Sequence, residues 1–145
     1  MPAISLITLA VADVACARAF YEALGLRAAP PHEEAVAFMD GGGVVLSLYG
    51  RDALAHDTGL ADGRPGGITL AFNVERPEQV GERLAAVVAA GAKVLKEPRE
   101  MPWGGVTAYF ADLDGHPWEI TWVPDFPLTD DGRIVLATAE DEEDI

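Results

Sequence analysis

Two stretches of this 145-residue chain follow one and the same order of elements, and that repetition limits the fold more than any other feature. The first begins with an apolar strand, Ile4 to Val11. A helix follows, because Val14, Ala17, Phe20/Tyr21 and Leu24 recur on one helical face, with Asp13 as N-cap and Gly25 as C-cap. A short strand over Leu26 to Ala29 comes next, then strands Val36 to Met39 and Val44 to Tyr49 joined through Asp40-Gly-Gly-Gly43. The second stretch begins with Ile68 to Val74, then a helix from Pro77 with Val80, Leu84, Val87 and Val88 on one face. Strands at Lys93 to Leu95, Val106 to Ala111 and Trp118 to Val123 complete it, the last two joined by an Asp/Gly turn. Ile7-Thr-Leu-Ala10 even recurs as Ile68-Thr-Leu-Ala71. The order is βαβββ, linker, βαβββ. Each unit is too small to bury a sheet alone, so the two must share an interior.

The expected organisation is therefore α+β: a first module over 1–50, a linker over 51–66, a second module over 67–125, and an extension over 126–145 with an acidic, disordered end. The linker reads as irregular because Gly and Pro punctuate it, with helical character confined to Ala53-Leu54-Ala55. Pro98 to Gly105 reads as a loop.

Composition excludes several classes of function. Formal charge is −14, of which Glu140 to Asp144 supplies −5, leaving −9 for the rest. Polyanion binding needs a basic footprint, so nucleic acid is not expected as a partner. The acidity favours neutral or cationic ligands, although solubility alone accounts for it. No apolar run approaches the ~20 residues of a membrane span and no signal peptide opens the chain, so neither membrane insertion nor export is expected. A single cysteine, Cys16, permits no internal disulfide and fits a cytoplasmic setting. It is expected to be a packed thiol rather than a nucleophile.

Strand parity separates two faces. Glu119 lies between Trp118 and Ile120, and period-2 alternation places it with Thr121, opposite Trp118, Ile120 and Trp122. The polar alternates elsewhere are Thr8, Ser47 with Tyr49, Thr69 with Asn73, and Thr107 with Tyr109. The apolar alternates (Ile7, Leu9, Val11; Val44, Leu46, Leu48; Ile68, Leu70, Phe72) back onto the helices. This division suits a sheet packed on one side and open on the other, to water or to a ligand. Trp103, in Met101-Pro-Trp-Gly-Gly105, is either an aromatic wall or lid over a pocket or a plug at a core edge.

The doubled unit, with Asp13, Phe20-Tyr21 and Leu24-Gly25 in its first half and Phe110-Ala-Asp-Leu-Asp-Gly-His-Pro-Trp-Glu119 in its second, resembles the vicinal oxygen chelate superfamily. This group holds glyoxalases, bleomycin-resistance proteins and extradiol dioxygenases. The resemblance covers residues 4 to 124 and implies a cup-shaped mixed sheet with helices on its outer face. In metal-dependent members each module gives two ligands, one from its first strand and one from its last. The matching positions are Leu6 (or Thr8, if the literal repeat sets the register), Ser47, Thr69 and Glu119. Only Glu119 is a ligand-type residue, and a catalytic divalent ion wants about three protein ligands or more. His32, His56 and His116 lie in expected loops or turns, and His116 reads as a hydrogen-bonded turn residue rather than a ligand.

Three readings of function remain open. The leading one is a metal-free protein without cofactor that binds a small, partly polar organic molecule, cationic where it faces Glu119, as in drug or metabolite sequestration. Its expected binding residues are Ser47, Tyr49, Thr69, Asn73, Trp103, Thr107, Tyr109, Glu119 and Thr121. The second is a glyoxalase-type lyase, isomerase or dioxygenase, using a divalent metal or Glu119 as general base aided by Tyr109 or His116. The third is a structural or regulatory module with a filled interior. All three are compatible with the homodimer that the resemblance implies.

Overall fold

The computed structural model describes residues 4–30, 32–61 and 65–135. The acidic run and Leu136 lie outside the described residues. The first module comprises β1 (Leu6–Val11), α1 (Val14–Ala23), β2 (Arg27–Ala28), β3 (Val36–Asp40) and β4 (Val45–Gly50). Asp13 caps α1 as its spacing predicts, accepting a hydrogen bond from the Cys16 amide at 2.9 Å. Gly25, at φ +106°, supplies the left-handed residue that turns the chain out of the helix. The second module comprises β5 (Leu70–Asn73), α3 (Glu78–Ala89), β6 (Lys93–Glu100), β7 (Val106–Ala111) and β8 (Pro117–Trp122). Between the modules stands α2 (Arg51–Thr58).

Each module forms a four-stranded mixed sheet, ordered β1-β4-β3-β2 and β5-β8-β7-β6. In both, the first strand runs parallel to the last and the remaining pairs are antiparallel. Among the described residues pairing does not continue from one sheet to the other, so β1 and β5 each end a sheet. What unites the modules is one apolar core that includes Leu9, Val11, Phe20, Tyr21, Leu46 and Leu48 from the first and Val80, Leu84, Phe110, Trp118 and Ile120 from the second. Its strand residues are the helix-facing alternates, and their burial follows the predicted parity. The fold is thus α+β with two βαβββ modules. Among the described residues, no helix is long and apolar enough to cross a membrane.

Several expectations need correction. The linker holds a helix of eight residues, α2, longer than the Ala53–Ala55 core expected. β6 continues through Pro98 to Glu100 rather than giving way to a loop; as an edge strand it tolerates proline, and two register shifts accommodate the irregularity. Ile68 precedes β5 and is exposed instead of backing onto a helix. Cys16 is exposed, not packed, because it sits on the solvent side of α1, and the Asp13 carboxylate beside it raises its thiol pKa. Of the strand expected at Ile134 to Leu136, the described part is one isolated bridge, Leu128 to Ile134.

Register also settles which residues of the two modules correspond. Ser47 pairs with Thr8 on β1, whereas Glu119 pairs with Ala71 on β5. Taking Ser47 and Glu119 as equivalents, Thr8 matches Ala71 and Leu6 matches Thr69. The recurring Ile-Thr-Leu-Ala is therefore two residues out of structural register, and Leu6 rather than Thr8 is the counterpart of Thr69.

Candidate functional site

The candidate site is the polar face of the second sheet, and cross-strand register builds it. Glu119 on β8 stands between Ala71 on β5 and Tyr109 on β7, and Tyr109 in turn faces Lys96 on β6. The next row runs Asn73, Thr121, Thr107, Arg99. Residues paired across strands point to the same side of a sheet, so one face carries a carboxylate, a phenol, two hydroxyls and two cations. Burial first, and the charge and hydrogen bond of Glu119 second, push the Tyr109 hydroxyl above its ordinary pKa, while Arg99 opposes them. Tyr109 therefore stays a neutral donor through physiological pH.

The other candidates are placed less uniformly. Thr107 and Thr121 are buried, and their hydroxyls hydrogen-bond each other at 2.8 Å. Ser47 is buried too, on the corresponding face of the first sheet beside Thr8 and Phe38. Tyr49 shares that face, but its hydroxyl donates to Asp57 of α2 at 2.7 Å, which seats α2 over one end of the first sheet. Thr69 is exposed just ahead of β5. Trp103 is 54% exposed, with its ring against Gly105, where a Cβ would lie only 2.0 Å from the ring. Asn73 borders a cavity of about 550 Å³ at the edge of β5, and its Oδ1 is buried without a partner.

Sequence reasoning missed Lys96 and Arg99, because the register shifts in β6 erase any period-2 signal there. It also missed the seam between β1 and β5, where cavities of about 390 Å³ and 550 Å³ lie. No local pattern could have revealed these, since their walls come from both modules. His116 lines the smaller cavity, and its Nε2 lies 2.7 Å from the carbonyl oxygen of Ala10, matching the hydrogen-bonded role expected of it.

The turn carrying His116 locks the modules together. Asp112 Oδ1 accepts from the amides of Asp114 and His116 at 3.0 and 2.8 Å, and its Oδ2 accepts from the Tyr21 phenol of α1. Asp114 Oδ1 accepts from the Ala12 amide at 2.8 Å, while Arg51 of α2 donates to the Asp114 carbonyl at 3.2 Å. The turn is thus spent on joining modules, and Glu119 is held at a defined height on β8 as a consequence.

A divalent metal, which the resemblance implies for part of the group, does not fit these residues. Among the described residues, no three His, Cys, Asp or Glu side chains gather closely enough to hold an ion. The neighbours of Glu119 in register are alanine and tyrosine, and the other corresponding positions are Leu6, Ser47 and Thr69.

Comparison with known proteins agrees with this architecture. A family profile described as the Glyoxalase/Bleomycin resistance protein/Dioxygenase superfamily matches residues 3–120. The chain is similar to a glyoxalase-related enzyme from Fulvimarina pelagi, with 33% identity and a TM-score of 0.86 over 95% of this chain and 100% of the other. A glyoxalase/bleomycin resistance protein/dioxygenase family enzyme from Burkholderia phytofirmans shares its fold at 21% identity and TM-score 0.77, covering 84% of this chain and 99% of that one. A lactoylglutathione lyase from Agrobacterium tumefaciens does so at 21% identity and TM-score 0.66, over 84% and 94%. No curated protein matches the sequence. With the profile spanning both modules and the strand orders as described, the chain belongs to the glyoxalase/bleomycin resistance protein/dioxygenase superfamily.

Proposed function

We propose that the protein binds a small polar organic molecule on the face carrying Glu119 and Tyr109, without a metal ion. The observation that carries this reading is the row Glu119–Tyr109–Lys96, a carboxylate and a cation on either side of a neutral phenol. Such a row favours a ligand with separated charges: an ammonium against Glu119, and a carboxylate or other acceptor toward Lys96 and Arg99. A purely cationic guest would satisfy Glu119 and meet repulsion at the β6 margin. Sequestration of a drug or metabolite is the role that fits binding without an assembled metal centre.

A second copy of the chain belongs to the same reading. On the polar face of the first sheet Leu6, Val45 and Phe38 are 45, 37 and 43% exposed, and Leu6 and Val45 are direct cross-strand neighbours. Exposed apolar side chains grouped in this way suit burial against a partner. A homodimer would cover them and wall in a sheet face that is shallow in one chain. Sedimentation equilibrium on wild type and Phe38→Asp tests this, with dimer expected for the first and monomer for the second.

Elemental mass spectrometry tests the metal-free part. Protein incubated with Zn, Ni, Mn and Fe(II) and then desalted is expected to retain far less than one ion per chain. Near-stoichiometric metal that disappears in Glu119→Ala would replace this reading with a metal-dependent enzyme.

A further inference from the structure

The larger seam cavity, of about 550 Å³, runs along the β5 edge, and its Phe72 and Trp118 wall lies on the opposite side of the second sheet from Glu119. Its walls include helix-side residues of both modules: Ile7 and Leu46 from the first, Phe72 and Trp118 from the second. Trp118 precedes Glu119 on β8, so the two side chains point to opposite faces. Every residue from Leu70 to Val74 also borders this space. A strand that contributes consecutive residues presents its edge, and among the described residues β5 is unpaired on that side. The cavity therefore combines an apolar wall with unpaired main chain.

Its charged residues differ in their commitments. Asp131 and Arg133 form an ion pair at 3.2 Å, and Asp40 Oδ1 accepts from the Gly42 amide at 2.9 Å. Arg83, exposed on α3, has no ion pair or side-chain hydrogen bond among the described residues, and it borders both this cavity and a smaller one of about 110 Å³ beside Leu24, Phe72 and Ile120. Asn73 at the β5 edge has its Oδ1 buried without a donor; an amide oxygen only accepts, so it takes no part in holding an anion. An apolar chamber with an uncommitted guanidinium at its rim suits an anion with an apolar body.

We propose that this seam cavity binds a monocarboxylic acid with an apolar body, the carboxylate held by Arg83 and the body against Leu46, Phe72 and Trp118. Its apolar wall lies opposite the Glu119 face, with which it shares only the β5 edge residues Ala71 and Asn73. Because the net charge of −14 opposes anions at long range, recognition must come from the short-range pair with Arg83, and the apolar body must supply much of the affinity.

Octanoate and 1-octanol share a body and differ in charge, so they separate the two contributions. Calorimetric titration would use the full chain as wild type, Arg83→Gln, Val44→Trp and Glu119→Gln. Val44 lines the cavity, and tryptophan there fills it; Arg83 is exposed, so its replacement leaves the core intact. Octanoate binding is expected to weaken about tenfold in R83Q, the loss of one charge-assisted hydrogen bond, with octanol unchanged. V44W should weaken both ligands, and E119Q neither. The Trp118 indole resonance should shift on titration, reporting the location. The proposal is overturned by absence of saturable octanoate binding to wild type, by equal octanoate affinity in R83Q, or by binding that E119Q abolishes while V44W preserves it.

Discussion

The phenol of Tyr21, on the first module's helix, donates to Asp112 Oδ2 in the second module's β7–β8 turn at 2.5 Å, and the Trp118 indole donates to the same phenol at 3.1 Å. Tyr21 is distant in sequence from the other two and all three are almost wholly buried, so the network is both a polar island in the core and the bolt between modules. Its partners have no water to fall back on. Tyr21→Phe should therefore cost about 2–3 kcal/mol, since it strands a buried carboxylate oxygen and an indole N–H together. Urea denaturation of the two proteins, compared at constant m-value, measures the difference. A change under half a kcal/mol, on the order of a neutral surface substitution, would mean that the network contributes little.

The same phenol gives stability a direction with pH. Burial first and the Asp112 charge second raise the Tyr21 pKa far above its ordinary value, so folding holds the proton more tightly than the unfolded chain does. A group raised in this way contributes fully below the unfolded value of about 10 and loses its contribution as pH climbs above it. Melting temperature should thus fall above about pH 10 more steeply in wild type than in Tyr21→Phe. Convergence of the two curves in alkali is the expected outcome, and parallel curves would contradict it. Tyr49 and Tyr109 are raised in the same direction but lie nearer solvent, so their tyrosinate absorbance should develop before the fold is lost.

Thr107 and Thr121 offer a double-mutant cycle. Each is buried and each is the other's hydrogen-bond partner. Either single valine substitution should cost about 1–2 kcal/mol by leaving one hydroxyl unpaired, whereas the double substitution should be close to neutral. Additive losses would show that the hydroxyls have other partners, which a bound ligand or water would provide.

Gly105 leaves no room for a side chain. A Cβ there would meet the Trp103 ring at 2.0 Å and the Trp122 carbonyl oxygen at 2.6 Å. The ring can swing away, but the carbonyl belongs to β8 and cannot. Gly105→Ala should destabilise by about 1–3 kcal/mol and release Trp103 to solvent, seen as red-shifted indole emission. Unchanged emission with unchanged stability would mean that the loop relaxes freely.

The two helices that pack the sheets were legible because their apolar residues recur on one face and glycine follows each. Glu119 and its neighbours were legible because a two-residue period needs no knowledge of partners. α2 was legible only at its Ala53–Ala55 core, since none of its residues is buried and Gly50 gives it no side-chain cap. β6 was legible only over Lys93–Leu95, because the rest of this edge strand is exposed and contains Pro98, so neither alternation nor composition marks its continuation. With its continuation beyond Leu95 unread, Lys96 and Arg99 were absent from the expected site, and a face read as anionic became one with both signs. The literal Ile-Thr-Leu-Ala repeat pointed to the wrong register, since two shared tetrapeptides carry less information than eight strands of pairing. The seam cavities depend on how the modules meet, which residues within one module do not encode.

The most direct test of the Glu119 face is a ligand titration followed by amide and side-chain NMR shifts, in chelator-treated protein. Three probes share a phenyl body: phenethylamine carries only the ammonium, 3-phenylpropionate only the carboxylate, and phenylalanine both. The expected result is saturable shifts at Tyr109, Glu119 and Lys96, strongest with phenylalanine, weaker with phenethylamine and lost in Glu119→Gln. Shifts that require an added divalent ion, or that leave Glu119 and Tyr109 unmoved for all three probes, would contradict it.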